Sequence, residues 1–340
     1  MPSHSGPPRH RRARRSKHRG RRARRPRRRA LLPIALALIV VGGGATAGVM
    51  YMGAWTRPRA EAVSPSPSSS VLRAADEEEA VESATNAAVD RDALLATAMK
   101  SVAVADGTEV SVVVLDQDSG ESASYGTGAF DTASIVKVDI LAALLLQAQD
   151  AGRTLTAEEK TYAADMIVNS DNDSTSALWR VIGTADGLDA ANERFGLTET
   201  VGGDGPVWGV TQTTAADQIA LLRQVFDTEG SELSEASRAY VRELMERIAV
   251  GQRWGVSAAA DGAAWALKNG WLRRSATGLW VVNSIGRVTA GGHDYLVAAL
   301  SQGNATQERG IALTEAMARA AVSVFTGDGA GGAAGGQTSS

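Results

Sequence analysis

Residues 134–149, SIVKVDILAALLLQAQ, decide how this chain folds and where its chemistry lies. The run of apolar residues predicts a long helix, and Ser134 and Lys137 lie at its start. Residues three apart on a helix share one face, so the hydroxyl and the amine should be neighbours. The serine has two interpretations. It could be an N-terminal cap, or a nucleophile whose proton passes to a lysine with a lowered pKa.

Lysine is scarce in this chain, which favours the second interpretation. The folded part uses arginine as its usual cation, and arginine does not release its proton in proteins. A lysine kept in such a chain suggests a position that needs a group able to lose its proton. The sequence has five lysines: Lys17, Lys100, Lys137, Lys160 and Lys268.

Two further short motifs carry groups that could act on a substrate. Ser170-Asp171-Asn172 follows a predicted helix, where such residues are also common in ordinary turns. As functional groups, Ser170 could relay a proton and Asn172 could hold a substrate amide. Lys268-Asn269-Gly270 ends an apolar run, and a lysine on a buried strand is unusual. Gly270 permits the close approach of a ligand backbone, although the motif could simply end a strand.

The order of predicted elements indicates an α/β (α+β) plan of two lobes. Two strands lie near the start, three lie near the end, and helices fill the middle, so one sheet is built from both chain ends. The predicted strands are 109–116, 122–125, 263–268, 278–285 and 293–301. The predicted helices are 90–103, 134–149, 157–169, 175–182, 185–194, 214–228, 234–250 and 306–325.

Together, the three motifs in this order resemble the signature set of class A β-lactamase-related serine hydrolases, in the β-lactamase/penicillin-binding transpeptidase-like superfamily. MIVNSDNDSTSALW, VTQTTAADQIALL and WALKNGWL extend the similarity, which spans about 89–326. The resemblance implies a five-stranded antiparallel sheet flanked by N- and C-terminal helices, plus an all-helical lobe.

The resemblance also implies roles for individual residues. Ser134 would be the acylated nucleophile and Lys137 its base, while Ser170, helped by Lys268, would pass a proton to the leaving nitrogen. The backbone N–H groups of Ser134 and Trp271 would form the oxyanion hole. The remaining implied substrate contacts are Asn172 for the amide, Asn269 and Gly270 on the strand, and Lys268 with Arg273 or Arg274 for a carboxylate.

The sequence departs from the family pattern in three ways. Asn269 replaces the usual Thr or Ser, and the spacing from Ser134 to Ser170 is shorter than usual. The glutamate that activates the deacylating water has no clear counterpart, and Glu199 and Asp204 are weak candidates for that base. We therefore expect an acyl-enzyme that forms but is hydrolysed slowly.

Composition excludes several other classes of site. The 340 residues contain no cysteine, so disulfides, thiolate nucleophiles and Cys-ligated metals are excluded. His293 is the one histidine outside the first 18 residues, which argues against a Ser-His-Asp triad and a His-rich metal cluster. We expect no metal and no organic cofactor.

The N-terminal region predicts export. Residues 1–60 carry 16 of the 35 Lys and Arg and no Asp or Glu, so a basic leader precedes an acidic body. Residues 30–56 are uncharged and long enough to span a bilayer, and the preceding arginines predict a cytoplasmic N-terminus. Ala47 marks a site where signal peptidase could cleave. The predicted organisation is a basic cytoplasmic segment (1–29), a transmembrane signal-anchor (30–56), a linker (57–88), the hydrolase domain (89–326) and a flexible tail (327–340).

The sequence thus predicts an exported serine hydrolase acting on β-lactams or D-Ala-D-Ala-type peptidoglycan amides. Its expected partners are a β-lactam or peptidoglycan stem peptide and the membrane, with no nucleic acid, and its domain is expected to be monomeric. The domain is held at the cell membrane, or secreted if the leader is cleaved. One alternative is a catalytically weakened, membrane-tethered module that binds or senses muropeptides or β-lactams. Another is a structural envelope protein whose motifs are coincidental.

Overall fold

The structure is a computed structural model that describes residues 89–262 and 264–327. The predicted leader, anchor and linker (1–29, 30–56 and 57–88) lie outside the described residues, as does the tail beyond Gly327. In the two described stretches, no helix combines the length and apolar character needed to cross a bilayer.

The central feature is a five-stranded sheet built from both ends of the domain. Its strands are β1 (Glu109–Asp116), β2 (Ser122–Tyr125), β5 (Trp265–Arg273), β6 (Trp280–Ala290) and β7 (His293–Asn304). They lie in the order β2-β1-β7-β6-β5, and every pairing is antiparallel. β7, from the end of the chain, therefore pairs directly with β1 from its start.

Within the described residues, eight α-helices cover the two faces of this sheet. They are α1 (Arg91–Met99), α2 (Val136–Asp150), α3 (Ala157–Val168), α4 (Asn172–Val181), α5 (Thr184–Phe195), α6 (Ala215–Phe226), α7 (Glu235–Glu246) and α8 (Gln307–Thr326). Alternation along β7 separates the two cores: Leu296, Ala298 and Leu300 face the helical lobe, whereas Tyr295, Val297 and Ala299 face α1 and α8.

α2 is the centre of the helical lobe. Twelve of its fifteen residues are buried, because α3 to α7 and the sheet surround it. A helix covered on all sides must be apolar nearly throughout, which explains the sequence of residues 140–146. Its first turn is consequently held in place by packing rather than by a cap.

The structure confirms the predicted fold class, with small differences in the elements. The predicted helix 134–149 begins as a 3₁₀ turn, Ala133–Ile135, and becomes α-helical at Val136. The sequence did not predict the short pair of β3 (Phe130–Asp131) with β4 (Gln212–Thr213). Strands of two residues carry too little periodicity to be recognised, yet this pair ties the chain before Ser134 to the loop that precedes α6.

Candidate active site

Ser134 lies in the middle of the 3₁₀ turn and is half-buried between two buried neighbours. Ala133 has a φ of 49°, a left-handed conformation that is unfavourable for alanine and common at functional sites. Neither this turn nor α2 has a side-chain cap bond, so Ser134 does not act as the cap that the sequence allowed. Among the described residues, its hydroxyl is therefore available to act on a substrate.

The turn is held from the sheet side by β5 and β6. The buried amide of Asn283 on β6 donates to the backbone oxygens of Asp131 (2.9 Å) and Thr132 (3.1 Å). A methyl group placed on Gly270 of β5 would lie 2.6 Å from the Ser134 nitrogen. The absence of a side chain at Gly270 therefore lets β5 contact the nucleophile turn, and Asn283 is a supporting residue that sequence reasoning missed.

Lys137 is fully buried one helical turn after Ser134. Its ammonium donates to the Ser170 backbone oxygen (2.7 Å), the Ser170 hydroxyl (3.0 Å) and Asn172 Oδ1 (2.9 Å). Burial lowers the pKa of Lys137 to about 7, although the nearby Asp171 carboxylate acts in the opposite direction. A lysine with this pKa is partly neutral near pH 7 and can accept a proton.

Ser170 connects the two lysines of the predicted site. Lys268, fully buried on β5, donates to the same Ser170 hydroxyl at 3.1 Å and to the Asn269 backbone oxygen at 2.9 Å. Burial, and then the charge of Lys137, lower the pKa of Lys268 well below its usual range. Ser170 itself has a φ of 57°, so the chain adopts an unfavourable conformation at the point where the hydroxyl meets both amines.

Asn269 has different partners from those predicted. Because side chains alternate along a strand, it leaves β5 on the face opposite Lys268. Its fully buried amide nitrogen donates to the backbone oxygens of Gln252 (2.7 Å) and Trp254 (2.9 Å). Asn269 thus joins β5 to the loop before it, and both of its N–H donors are occupied.

Two half-buried tryptophans lie near Asn269, Trp254 in the loop before β5 and Trp271 on β5 itself. The rings of Trp254 and Trp271 are 5.9 Å apart and tilted by 52°. Trp271 directly follows Gly270, so its backbone N–H lies on the strand that contacts the Ser134 turn. The oxyanion contribution of the Trp271 N–H stays a prediction.

The two arginines that were candidates for binding a substrate carboxylate both bond to other groups of the protein. Arg274 forms an ion pair with the buried Asp131, which also accepts a hydrogen bond from Gln212. Arg273 donates to the Gly278 backbone oxygen at 3.0 Å, in the turn after β5. Lys268 is the remaining predicted carboxylate contact that points into the site.

Glu199 and Asp204 are exposed residues of a loop that we call the site loop, residues 196–213. In the described part of the chain, neither side chain has a hydrogen bond or ion pair with Lys137 or Ser170. The site loop instead presents Trp208, whose ring centroid is 4.9 Å from Lys137 Nζ. Sequence reasoning missed Trp208, although a large aromatic residue in a loop rich in glycine was a visible signal.

Trp208 is fixed in this position by its own polar atom. The indole Nε1 donates to Ser176 Oγ on α4 at 3.2 Å, and Trp208 begins a 3₁₀ turn. The ring therefore shields Lys137 from solvent and provides a favourable surface for its charged form. An aromatic ring occupies a face of Lys137 from which a water molecule could approach.

His293 lies away from the candidate active site. It belongs to the one group of potential metal ligands found within the described ranges. The ligand atoms of Asp116, Asp118 and His293 are all within 4.8 Å of one another. His293 is five residues along β7 from Ala298, which is in register with Lys268 through Ile285, or about 17 Å away at 3.4 Å per residue. His293 is therefore too far along the sheet to act on Ser134.

Comparisons with known proteins agree with this fold. The family described as "Beta-lactamase enzyme family" matches residues 146–325, a range that contains Ser170, Asn172 and Lys268. The proteins of Mycobacterium bovis and Mycobacterium tuberculosis named "Putative lipoprotein LppW" are 27% identical over 176 residues. That alignment covers 50% of this chain and 56% of each relative, so the chain spans about half the length of the curated relatives it matches.

Solved structures show the same fold at low sequence identity. PBP-A superimposes with a TM-score of 0.59 at 22% identity, covering 69% of this chain and 96% of that chain. TLA-1 extended-spectrum β-lactamase superimposes with a TM-score of 0.60 at 15% identity, covering 69% and 98%. With the family match over more than half of the sequence, these results lead to one conclusion: the chain belongs to the beta-lactamase enzyme family.

Proposed function

We propose that this protein is an exported serine hydrolase that forms an acyl-enzyme on Ser134. The observation that carries the proposal is the Ser170 hydroxyl bonded to both Lys137 and Lys268, because Lys137 follows Ser134 by one helical turn. Two buried amines with lowered pKa values around one hydroxyl form a path for moving a proton. The substrates that we propose are β-lactams or D-Ala-D-Ala-type peptidoglycan amides.

Acylation would begin with a substrate carbonyl between the Ser134 turn and β5. Neutral Lys137 accepts the Ser134 proton while Oγ forms a bond to the carbonyl carbon. The backbone N–H groups of Ser134 and Trp271 stabilise the negative oxygen of the tetrahedral intermediate. When the C–N bond breaks, Ser170 donates its proton to the leaving nitrogen and is reprotonated from the lysines, which leaves the acyl group on Ser134.

Deacylation requires a water molecule and a base that activates it. Lys137 donates to oxygen atoms of Ser170 and Asn172, and none of the acceptors found for it in the described chain is a carboxylate. The Trp208 ring lies against it on another side. The acyl-enzyme should therefore be long-lived, as expected of a penicillin-binding protein.

The first test is to incubate the full-length chain with penicillin G and follow its intact mass. We expect wild type to gain one penicillin mass that persists for many minutes, and Ser134→Ala to gain none. An adduct on both proteins would show that another residue is acylated. No adduct on either, with the drug intact, would contradict the β-lactam proposal.

A second candidate function is a membrane-tethered module that binds or senses muropeptides or β-lactams. The position of Trp208 and the exposure of Glu199 favour it, because both reduce the turnover expected of a hydrolase. Covalent capture without release of product would support this candidate. Slow but continuous consumption of the drug by wild type, and not by Ser134→Ala, would support the hydrolase.

Export and attachment to the envelope are also proposals. The basic residues before the uncharged segment 30–56 support them, and the LppW relatives are named as lipoproteins. This sequence contains no cysteine that could be lipidated. We therefore propose that segment 30–56 holds the domain at the outer face of the membrane until it is cleaved, and that the domain acts as a monomer.

Replacing Trp208 tests its proposed role in shielding the acyl-enzyme. In Trp208→Ala, water gains access to Lys137 and to the acyl group, so the lifetime of the penicillin adduct should fall by roughly tenfold, the effect of about 1.4 kcal/mol. Trp208→Phe keeps an aromatic ring over the lysine and should retain most of the lifetime. Decay of the adduct mass after removal of free drug measures this, and equal lifetimes in all three proteins would exclude the shielding role.

A further inference from the structure

Asp139 is a buried carboxyl group that the proposed reaction does not use. It lies on α2 two residues after Lys137 and is 1% exposed. Neither of its oxygens has a hydrogen-bond partner in the described part of the chain. An ionised carboxylate in such surroundings is strongly unfavourable, so the carboxyl should hold its proton.

The groups that face Asp139 come from two neighbouring helices. Asn192 of α5 lies beside it, and neither amide atom of Asn192 completes a hydrogen bond of ordinary geometry within the described residues. The charged neighbours are Asp189 of α5 and Asp217 of α6, both acidic. Lys137 directs its ammonium away, towards Ser170.

These surroundings all change the pKa of Asp139. Burial, most of all, raises the pKa of Asp139 to about 8, and the charges of Asp189 and Asp217 add to this. The Asn192 amide acts in the opposite direction. When protonated, Asp139 gains an O–H donor for which the unpartnered Asn192 Oδ1 is a suitable acceptor.

The same neighbours hold the site loop in place. Asp217 accepts hydrogen bonds from the Glu199 nitrogen (2.9 Å) and from the Thr200 hydroxyl (2.7 Å). Three further contacts fix the loop at its start, middle and end: Leu197 N to Asn192 O (2.9 Å), Gly202 N to Asp189 Oδ1 (2.7 Å) and Gln218 Nε2 to Thr213 Oγ1 (2.9 Å).

We propose that Asp139 is a positioning residue for the site loop, holding a proton while the loop is docked and releasing the loop when it ionises. A third negative charge beside Asp189 and Asp217 would repel the carboxylates that anchor the loop and would draw water into the lobe. The loop carries Trp208, so its release would uncover Lys137. The loop movement depends on the fold alone; its effect on catalysis rests on the proposed function.

Cleavage by chymotrypsin after Trp208 measures release of the loop in the full-length chain. The matched variant is Asp139→Asn, which has the shape of the protonated acid and cannot ionise. Measured against Asp139→Asn at each pH, wild-type cleavage should increase roughly tenfold from pH 7 to pH 9, the ratio of the ionised fractions for a pKa of about 8. Asp106→Asn, a change at an exposed site, should behave as wild type.

Thermal unfolding gives a second measure of the same ionisation. The unfolded chain releases this proton near pH 3.9 and the folded chain near pH 8, so the contribution of Asp139 to stability falls as pH rises between the two values. As pH rises, the melting temperature of Asp139→Asn should therefore increase relative to that of wild type. Wild type should also show an infrared band of a protonated buried carboxyl that Asp139→Asn lacks.

The outcomes separate this proposal from the proposed function. Equal pH profiles of cleavage in wild type and Asp139→Asn would overturn the role of Asp139, whatever the activity. If Asp139→Asn does not fold, absence of the protonated-carboxyl band from wild type at neutral pH would overturn it instead. Penicillin could fail to acylate Ser134 while the cleavage profiles of wild type and Asp139→Asn differ as expected. In that case the proposed function is wrong and the positioning role of Asp139 is retained.

Discussion

Replacing Lys137 by arginine is expected to slow acylation of Ser134 by about 10²–10⁴-fold, the usual contribution of a general base. Arginine keeps a positive charge and some of the contacts to Ser170 and Asn172, but it does not release its proton. The variant therefore removes the base while it preserves the charge. The measurement is the rate at which a fluorescent penicillin labels the full-length chain at saturating drug.

The same assay has an expected dependence on pH. The base must be neutral, and the pKa of Lys137 is about 7, so the wild-type rate should rise with pH through this region and level off about one unit above it. Because Lys268 shares the Ser170 hydroxyl, the observed midpoint belongs to the pair of lysines. Lys137→Arg should lose this rise together with its rate.

Lys160→Arg is the matched control, since Lys160 is exposed on α3. It should label at the wild-type rate at every pH. Two results would exclude Lys137 as the base: a wild-type rate that is flat across neutral pH, or labelling of Lys137→Arg at the speed of the control. The first would indicate that another group activates Ser134.

The sequence predicted the elements of the fold well because their signals are local. The period of the strands and helices and the three motifs are each contained within a few residues. The structure brings Lys137, Ser170 and Lys268 together, and Gly270 of β5 contacts the turn that carries Ser134. The contacts that cross the chain were not predictable in this way. Asn269 binds the carbonyls of the loop before β5, and Trp208 reaches Lys137 across 71 positions of sequence.

Asp139 was predictable from the sequence in part only. It is the one charged residue between Lys137 and Asp150, in a segment that is otherwise apolar or neutral, so the sequence already marked it as unusual. The sequence did not show which residues surround Asp139 in the fold. The acidic neighbours Asp189 and Asp217 belong to other helices, and the packing of α5 and α6 against α2 brings their charges near it.

Replacing Gly270 by alanine is expected to slow acylation of Ser134 by about 10²-fold or more, the typical cost of displacing a reacting group by about 1 Å. The added methyl group would lie 2.6 Å from the Ser134 nitrogen, 2.8 Å from the Ile135 nitrogen and 2.9 Å from the Thr132 oxygen. All three are backbone atoms, so no side chain can rotate away. β5 and the nucleophile turn must move apart, and the two proposed oxyanion donors separate with them.

This result can be distinguished from general loss of stability. Overpacking of this kind costs about 1–3 kcal/mol, so Gly270→Ala should still fold at room temperature with a lowered melting temperature. Gly262→Ala is the matched control, because a methyl group there meets no atom within 4 Å in the described structure. A folded Gly270→Ala that acylates as fast as Gly262→Ala would show that contact of β5 with the turn is not needed for reaction at Ser134, and the oxyanion role of the Trp271 N–H would fall with it.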